Sequence, residues 1–412
     1  MSAAQLLAYI AAALLAQVLT GAGFAIWRLR AKAGAMASVP AQGQDAPASP
    51  PGAWPGWREF RVVRREFEDA SRSQCSFHLQ PVDGQPLAAF RPGQYLTFSL
   101  RLSDGAAVGG RAVTRCYSLS DAPDATGWRI TVKRMPAPAG RPELPPGASS
   151  THFHDQVHEG DVLQVKAPSG HFCIDTEAGV PAVFIAGGIG ITPLMSMLRW
   201  CAAEQPGRPL HLYYGVRSGA DHAFKRGLED LAASHAAFRL NVVYGSPGPD
   251  DVQGRDYQQA GYVDLALLRG TLPAGRHQFY VCGPPPMMQS LVPALRAWGV
   301  QAEDIHFEAF GPASVQPAAP PGNEHAAATF EVRFSRSGRT LAWDGQDANL
   351  LDFAERHAVP VSSGCRTGSC GSCETLLVSG TVGYADKPDH DIAKGHCLLC
   401  VGKPQSALVL AA

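Results

Sequence analysis

The chain has 412 residues, too many for one ordinary hydrophobic core and enough for two to four domains at roughly 100–200 residues each. Its 35 basic and 36 acidic residues give a net charge of -1, and charged residues make up only 17%, so no basic surface is available for DNA or RNA and nucleic acid is excluded as a partner. Ten cysteines are too few for a secreted disulfide scaffold of this size, and half of them fall after residue 360 in spacings that suit metal ligation better than cross-linking.

In chain order, the first predicted element is Leu6 to Trp27, an uncharged apolar run of 22 residues. At about 1.5 Å per residue it would span roughly the 30 Å of a bilayer core, and no basic segment precedes it as in a signal peptide. Arg28, Arg30 and Lys32 follow it, so the expectation is a single-pass anchor (residues 1–30) in the inner membrane with the soluble domains on the cytoplasmic side. Residues 31–56 are rich in Ala, Pro, Gly and Ser and read as a flexible linker.

From 57 to 178 short strand-like runs such as "YLTFSL" and "WRITVKR" alternate with turn residues, as in an antiparallel β-barrel. Within this stretch "RCYS", Arg115 to Ser118, supplies a guanidinium for phosphate, an aromatic face and a hydroxyl. By itself it is an ordinary strand. "HFHDQVH" sets His152, His154 and His158 close together, and the reading is a helix, not a metal site. Cys75, Cys116, Cys173 and Cys201 read as ordinary half-buried side chains.

From 179 to 310 buried-strand runs alternate with helical stretches, the pattern of βαβ units and a parallel α/β sheet. "AVFIAGGIGITP" runs from a strand through a glycine turn at Gly188 and Gly190 into a helix at Thr192, where backbone N–H groups can meet a pyrophosphate. A second strand, "YVCGPPPMM", ends in a turn at Cys282 and Gly283. After "LHLYYGV", Arg217 and Ser218 suit a 2′-phosphate and Asp221 a free 2′-hydroxyl; the reading leans to NADH, with NADPH the alternative.

A second linker, 311–328, precedes a tail, 329–412, with a strand pair "TFEVRFSRSGRTLAW", a short helix "NLLDFAERH" and the run "SGCRTGSCGSC". Cys365, Cys370 and Cys373 have the C-x4-C-x2-C spacing of a plant-type 2Fe-2S loop, and glycine with small polar residues leaves room for an inorganic core. Cys397 and Cys400 are the two candidates for a fourth thiolate. The alternative is zinc held by Cys370, Cys373, Cys397 and Cys400, which leaves Cys365 and the glycines without a purpose.

The order "RCYS", "ITVKR", "PGASS", "GGIGITP", "YVCGPPPMM", "FEAFGPA" resembles the ferredoxin-NADP reductase superfamily, especially the reductase domains of flavohaemoglobins and of oxygenase reductases of the phthalate dioxygenase reductase type. The tail resembles a plant-type ferredoxin, an α+β β-grasp fold, across nearly its full length, and the resemblance favours Cys400 as the fourth ligand. The resemblance implies a six-stranded flavin barrel, with Arg115 at the flavin phosphate, Tyr117 on the ring and Ser118 near its N5. Lys133 would lie in a flavin strand, and Gly147 and Ser150 would contact the flavin diphosphate. It further puts Gly188 and Thr192 at the nicotinamide nucleotide, Cys282 beside its ring, and Glu308 and Phe310 over the flavin. FAD is the flavin expected, with FMN the alternative. The expected function is a membrane-anchored NAD(P)H-dependent reductase. It would pass electrons through a 2Fe-2S cluster to an oxygenase, desaturase or hydroxylase. The alternatives are a quinone-linked respiratory dehydrogenase and a non-enzymatic redox sensor.

Overall fold

The computed structural model describes residues 53–102, 111–124, 126–137, 140–310, 329–366, 368, 370–384, 388 and 390–412. Residues 6–27, expected to cross a membrane, lie outside the described residues, and among those described no helix is long and apolar enough to cross one.

Six strands, β1 Arg58–Phe67, β2 Gln74–Pro81, β3 Tyr95–Leu102, β4 Arg111–Ser118, β5 Trp128–Lys133 and β6 Val162–Val165, pair antiparallel in the order β4-β3-β6-β1-β2-β5. The edges meet: Leu119 bridges Ile130, and Ser120 N donates to Arg129 O at 2.8 Å, so the sheet closes into a barrel with no free edge on that side. Alternation fills its interior with Phe60, Phe77, Phe98, Trp128 and Ile130, and helix α1, Ala148–Asp155, packs Phe153 edge-on against Phe77 at 5.2 Å and Phe98 at 5.7 Å.

The next six strands, β7 Ala182–Gly187, β8 Leu210–Val216, β9 Phe238–Tyr244, β10 Gln259–Ala260, β11 Gln278–Cys282 and β12 Ile305–Glu308, are all parallel, in the order β10-β9-β8-β7-β11-β12. β7 and β11 are buried at every position, as central parallel strands covered on both faces must be. Helices α2 (Ile191–Glu204) and α3 (Lys225–Ser234) cover one face, whose core joins Leu194, Leu198, Tyr214 and Leu228. Helices α4 (Leu265–Thr271) and α5 (Pro285–Ala297) cover the other, with Val183, Leu268 and Leu291. The order reverses beside β7, which places the crevice above the carboxyl ends of β7 and β11.

The tail carries β13 Phe330–Phe334, β14 Arg339–Trp343, helix α6 Leu350–Arg356, and strands β15 Glu374–Ser379, β16 Val382–Tyr384, β17 His396–Leu398, β18 Gly402–Pro404 and β19 Leu408–Leu410. Its main sheet runs β14-β13-β19-β15-β17, mixed because β13 and β19 are parallel. Asn349 caps α6 by accepting from Asp352 N at 2.9 Å, and the helix lays Leu350, Leu351, Phe353 and Ala354 on the sheet.

Candidate functional site

Strand β4 presents the flavin-type residues in register with β3: Ser118 stands opposite Tyr95, Tyr117 opposite Leu96, Cys116 opposite Thr97 and Arg115 opposite Phe98. Tyr117 packs its ring edge-on to Phe153 at 4.9 Å and Phe98 at 5.8 Å, and burial pushes its phenol well above the usual range. Arg115 is anchored by Nη1 donating to Thr114 O at 2.8 Å, and Ser118 is buried. Gly147 is the N-cap of α1, and Ser150 Oγ ties the turn together by donating to Gly147 O at 2.8 Å and accepting from Met135 N at 3.0 Å. In that first turn the buried hydroxyl oxygens of Ser149 and Thr151 have no hydrogen-bond partner. Orphaned hydroxyls beside free helix N–H groups suit a diphosphate, so the residues present fit a flavin dinucleotide. The histidines of the same segment do not form a metal site: His154 is buried with Nε2 2.9 Å from Val132 O, whereas His158 is on the exposed side.

The nucleotide end is made by two turns in backbone contact. Gly188 to Gly190 leads from β7 into α2, and Thr192 Oγ1 closes the turn by donating to Ile189 O at 3.0 Å. A Cβ on Gly190 would lie 2.2 Å from Cys282 O and 2.8 Å from Gly283 N, so only glycine lets the turns meet. Cys282 pairs with Ala186 on β7 and with Glu308 on β12. Burial, then the Glu308 carboxylate, pushes the Cys282 thiol well up, so it is neutral at physiological pH. Lys133, at the end of β5, brings Nζ to 3.9 Å of where a Gly188 Cβ would stand, joining the barrel to the nucleotide turn. Arg217 is exposed after β8; nearby Ser218 Oγ donates to Asp221 at 3.2 Å, and Asp251 accepts from Gly219 N at 3.0 Å. Phe310 is 41% exposed.

The cysteines of the tail form two pairs. Cys365 N donates to Cys370 Sγ at 3.2 Å and Cys370 N to Cys365 Sγ at 3.4 Å, while Cys400 N donates to Cys373 Sγ at 3.4 Å. Sulfur-to-sulfur hydrogen bonding joins Cys373 to Cys400 and pulls the Cys373 thiol down. Two thiolate pairs are the donor set of a two-iron centre, each iron taking two. The zinc alternative needs Cys397, which stands in β17 opposite Thr375 and outside both pairs, whereas the two pairs fit a 2Fe-2S cluster. Cys397 is apart from these pairs, buried in β17 opposite Thr375, and burial pushes its thiol up to about 12. Gly371 has φ +70, and a Cβ there would meet the His390 ring at 2.3 Å. Loop backbone amides thus aim at sulfur where side chains are excluded.

Cys116, expected to be an ordinary half-buried side chain, is half-buried, with its sulfur 3.4 Å from Thr97 Oγ1. Cys75, Cys173 and Cys201 are buried.

Three family models match successive stretches: an oxidoreductase FAD-binding domain over residues 61–174, an oxidoreductase NAD-binding domain over 184–292 and a 2Fe-2S iron-sulfur cluster binding domain over 332–405. A flavohemoprotein of Rhizobium meliloti (strain 1021) is 38% identical over 261 residues, 63% of this chain and 62% of that protein. A flavohemoprotein of Bacillus thuringiensis subsp. konkukian (strain 97-27) is 34% identical over 284 residues, 68% of each chain. A solved phthalate dioxygenase reductase, described as a modular structure for electron transfer from pyridine nucleotides to 2Fe-2S, is 29% identical and matches with a TM-score of 0.51, covering 87% of this chain and 98% of its own. The chain spans 62% of the length of the first of these relatives. The expected inner-membrane placement is corrected: the matched relatives are flavohemoproteins, no matching model reaches N-terminal of residue 61, and among the described residues no helix is long and apolar enough to cross a membrane.

Proposed function

Because the chain belongs to the FAD- and NAD-binding oxidoreductase family of the flavohemoproteins and carries a 2Fe-2S domain besides, we propose that it is the reductase component of an oxygenase, desaturase or hydroxylase system. Its coarse activity is electron transfer from a nicotinamide nucleotide by way of FAD to the iron-sulfur domain, like that of phthalate dioxygenase reductase. The observation that carries the finer reading is the pair of cysteine pairs, Cys365 with Cys370 and Cys373 with Cys400, in a 2Fe-2S domain on the same chain as the flavin and nucleotide domains. When bound, a flavin takes two electrons together and releases them singly, and a 2Fe-2S cluster carries one at a time, which is what a haem, Rieske or di-iron oxygenase needs.

The chain's own residues hold and orient. Arg115 and the turn from Gly147 to Ser150 would hold the flavin phosphates, Lys133 would lie in a flavin strand, Tyr117 would line the ring, and the Ser118 hydroxyl would serve near N5. Gly188, Gly190 and Thr192 bind the nucleotide pyrophosphate against the start of α2. Cys282, uncharged, and Gly283 pack beside the nicotinamide and exclude water, with Glu308 next to Cys282 across the strand pair. Phe310, exposed two residues after β12, would cover the flavin. Two carboxylates, Asp221 and Asp251, crowd the end of β8 and oppose a 2′-phosphate, which favours NADH despite Arg217. Cys365, Cys370, Cys373 and Cys400 ligate the cluster.

The test mixes purified protein anaerobically with NADH and compares reduction of cytochrome c with that of a short-chain quinone. Fast cytochrome c reduction that disappears in Cys370→Ser, with little quinone activity, is expected. Quinone reduction that survives Cys370→Ser would instead support a quinone-linked dehydrogenase, and no NADH oxidation with any acceptor would remove both readings.

A further inference from the structure

Strand β8 ends at Val216, and the loop after it carries Arg217, Ser218 and Asp221, the residues that face the nucleotide's ribose in the reading above. From its own domain the loop is held by Asp251, which accepts from Gly219 N at 3.0 Å, and by the bonds of one tight turn, Asp221 N to Ser218 O at 3.1 Å and His222 N to Gly219 O at 3.3 Å. Its other side is held by the flavin barrel. Ser71 N donates to Ala220 O at 2.9 Å, Gln74 Nε2 donates to Asp221 O at 2.9 Å, and Phe224 N donates to Glu68 O at 3.2 Å, so the turn between β1 and β2 grips the loop along its length. That turn is itself fixed by Asp69, whose carboxylate accepts from Ser71 Oγ at 2.5 Å, Ser73 Oγ at 2.6 Å and Gln74 N at 2.9 Å. Gln74 is fully buried, and its Oε1 has no hydrogen-bond partner, so the side chain's main bond across the domain boundary is the one to Asp221. Phe224, just before α3, is held at φ +57, a left-handed conformation unusual for an aromatic residue, with the Arg129 guanidinium of β5 5.0 Å from its ring.

We propose that Gln74, a residue of the flavin barrel, is a positioning residue for nucleotide choice: by holding the main chain at Asp221 it sets the carboxylate where it accepts a free 2′-hydroxyl and opposes a 2′-phosphate. The inference rests on the reading above that Asp221 meets the ribose. The physical cause is preorganisation. A carboxylate on a loop held from both sides is already in place when the dinucleotide arrives, whereas on a loosened loop the cost of ordering it is taken out of the binding free energy. The same loosening lets the carboxylate swing away from a 2′-phosphate, so repulsion of NADPH weakens as attraction of NADH does. The anchor lies at the adenosine end of the nucleotide, away from the nicotinamide, so its loss acts on binding and leaves the hydride step nearly untouched.

The experiment uses the full holoprotein with ferricyanide as acceptor and compares wild type, Gln74→Met, Asp221→Ala and the double variant, each checked for flavin content. Met keeps the length and burial of Gln74 and removes the donor. The readouts are kcat and KM for NADH and for NADPH. In Gln74→Met the KM for NADH should rise about three- to tenfold, in line with one lost hydrogen bond, with kcat within about twofold and a smaller change for NADPH, so the preference for NADH falls. The double variant should discriminate no worse than Asp221→Ala alone, because Gln74 acts through Asp221. A Gln74→Met protein with full flavin and an unaltered NADH-to-NADPH preference overturns the proposal, as does a double variant in which the two losses simply multiply. Should Gln74→Met fail to retain flavin, Ser73→Ala, which removes one bond to Asp69 from the same turn, should shift the preference in the same direction by less, and no shift there overturns the proposal equally. Unaltered discrimination in Asp221→Ala overturns the ribose assignment itself, a separate failure that is seen without any change at Gln74.

Discussion

The nucleotide end and the cluster end solve the problem of holding a charged group in opposite ways. At the nucleotide end backbone meets backbone: Gly190 lies against Cys282 and Gly283, on two strands buried at every position, and the turn is complete from the protein's own atoms. At the cluster end the protein gathers four sulfurs in two pairs within a small core that includes Cys373 and Cys400 beside Leu398 and Phe353. The first site is preorganised by packing and tolerates no added atom. The second depends on what its sulfurs bind, because metal affinity of such ligands is folding free energy.

The sharpest way to break the contrast is to remove one ligand. Cys370→Ser should lose the brown chromophore and cut NADH-driven cytochrome c reduction by more than the roughly 100-fold typical of outer-shell changes, while bleaching of the flavin by NADH persists; anaerobic absorbance spectra read both. On the preorganised side, His222 is buried, with Nδ1 2.9 Å from Tyr244 Oη, and burial lowers its pKa from 6.5 to about 4. The native state therefore holds it neutral. Above about pH 6.5 this costs nothing; as pH falls from there to 4 the unfolded chain takes up a proton that the native one refuses, so stability drops by about 3 kcal/mol at the lower end. Denaturant unfolding of the α/β domain at pH 7 and pH 4.5 measures this, and His222→Gln should flatten that share of the dependence.

Gly190→Ala comes next, at about 1–3 kcal/mol, because its Cβ would press on a carbonyl that cannot swing aside. A raised KM for NADH with an unaltered cluster EPR signal is expected. The added Cβ in Gly371→Ala meets the movable His390 ring, and should change iron content more than nucleotide binding. The smallest effect expected is that of Asn349→Ala, which removes the α6 cap and costs the ferredoxin domain about 1 kcal/mol, visible as a lower Tm of that domain alone.

Much of this was legible in the sequence, for identifiable reasons. Strand and helix runs in the barrel and the α/β sheet follow from period-2 alternation and continuous apolar stretches, and the C-x4-C-x2-C spacing is local, so three thiolates could be read directly. Choosing Cys400 over Cys397 needed the resemblance, since both sit in "HCLLC"; only folding separates them, setting the Cys400 amide on Cys373 sulfur and leaving Cys397 in the strand opposite Thr375. Gly190 could be read as a turn glycine, but not that its neighbour would be the Cys282 carbonyl, which arrives on a strand far along the chain. The membrane placement came from one apolar run and finds no support in the described residues or in the matching models.

The most direct test of the whole account follows one anaerobic sample of the full chain after mixing with NADH, recording flavin absorbance and low-temperature EPR together. Flavin bleaching followed by the rhombic signal of a reduced 2Fe-2S centre, and absence of that signal in Cys370→Ser, is the predicted result. Bleaching with no iron signal, in protein whose metal analysis returns zinc, would contradict it.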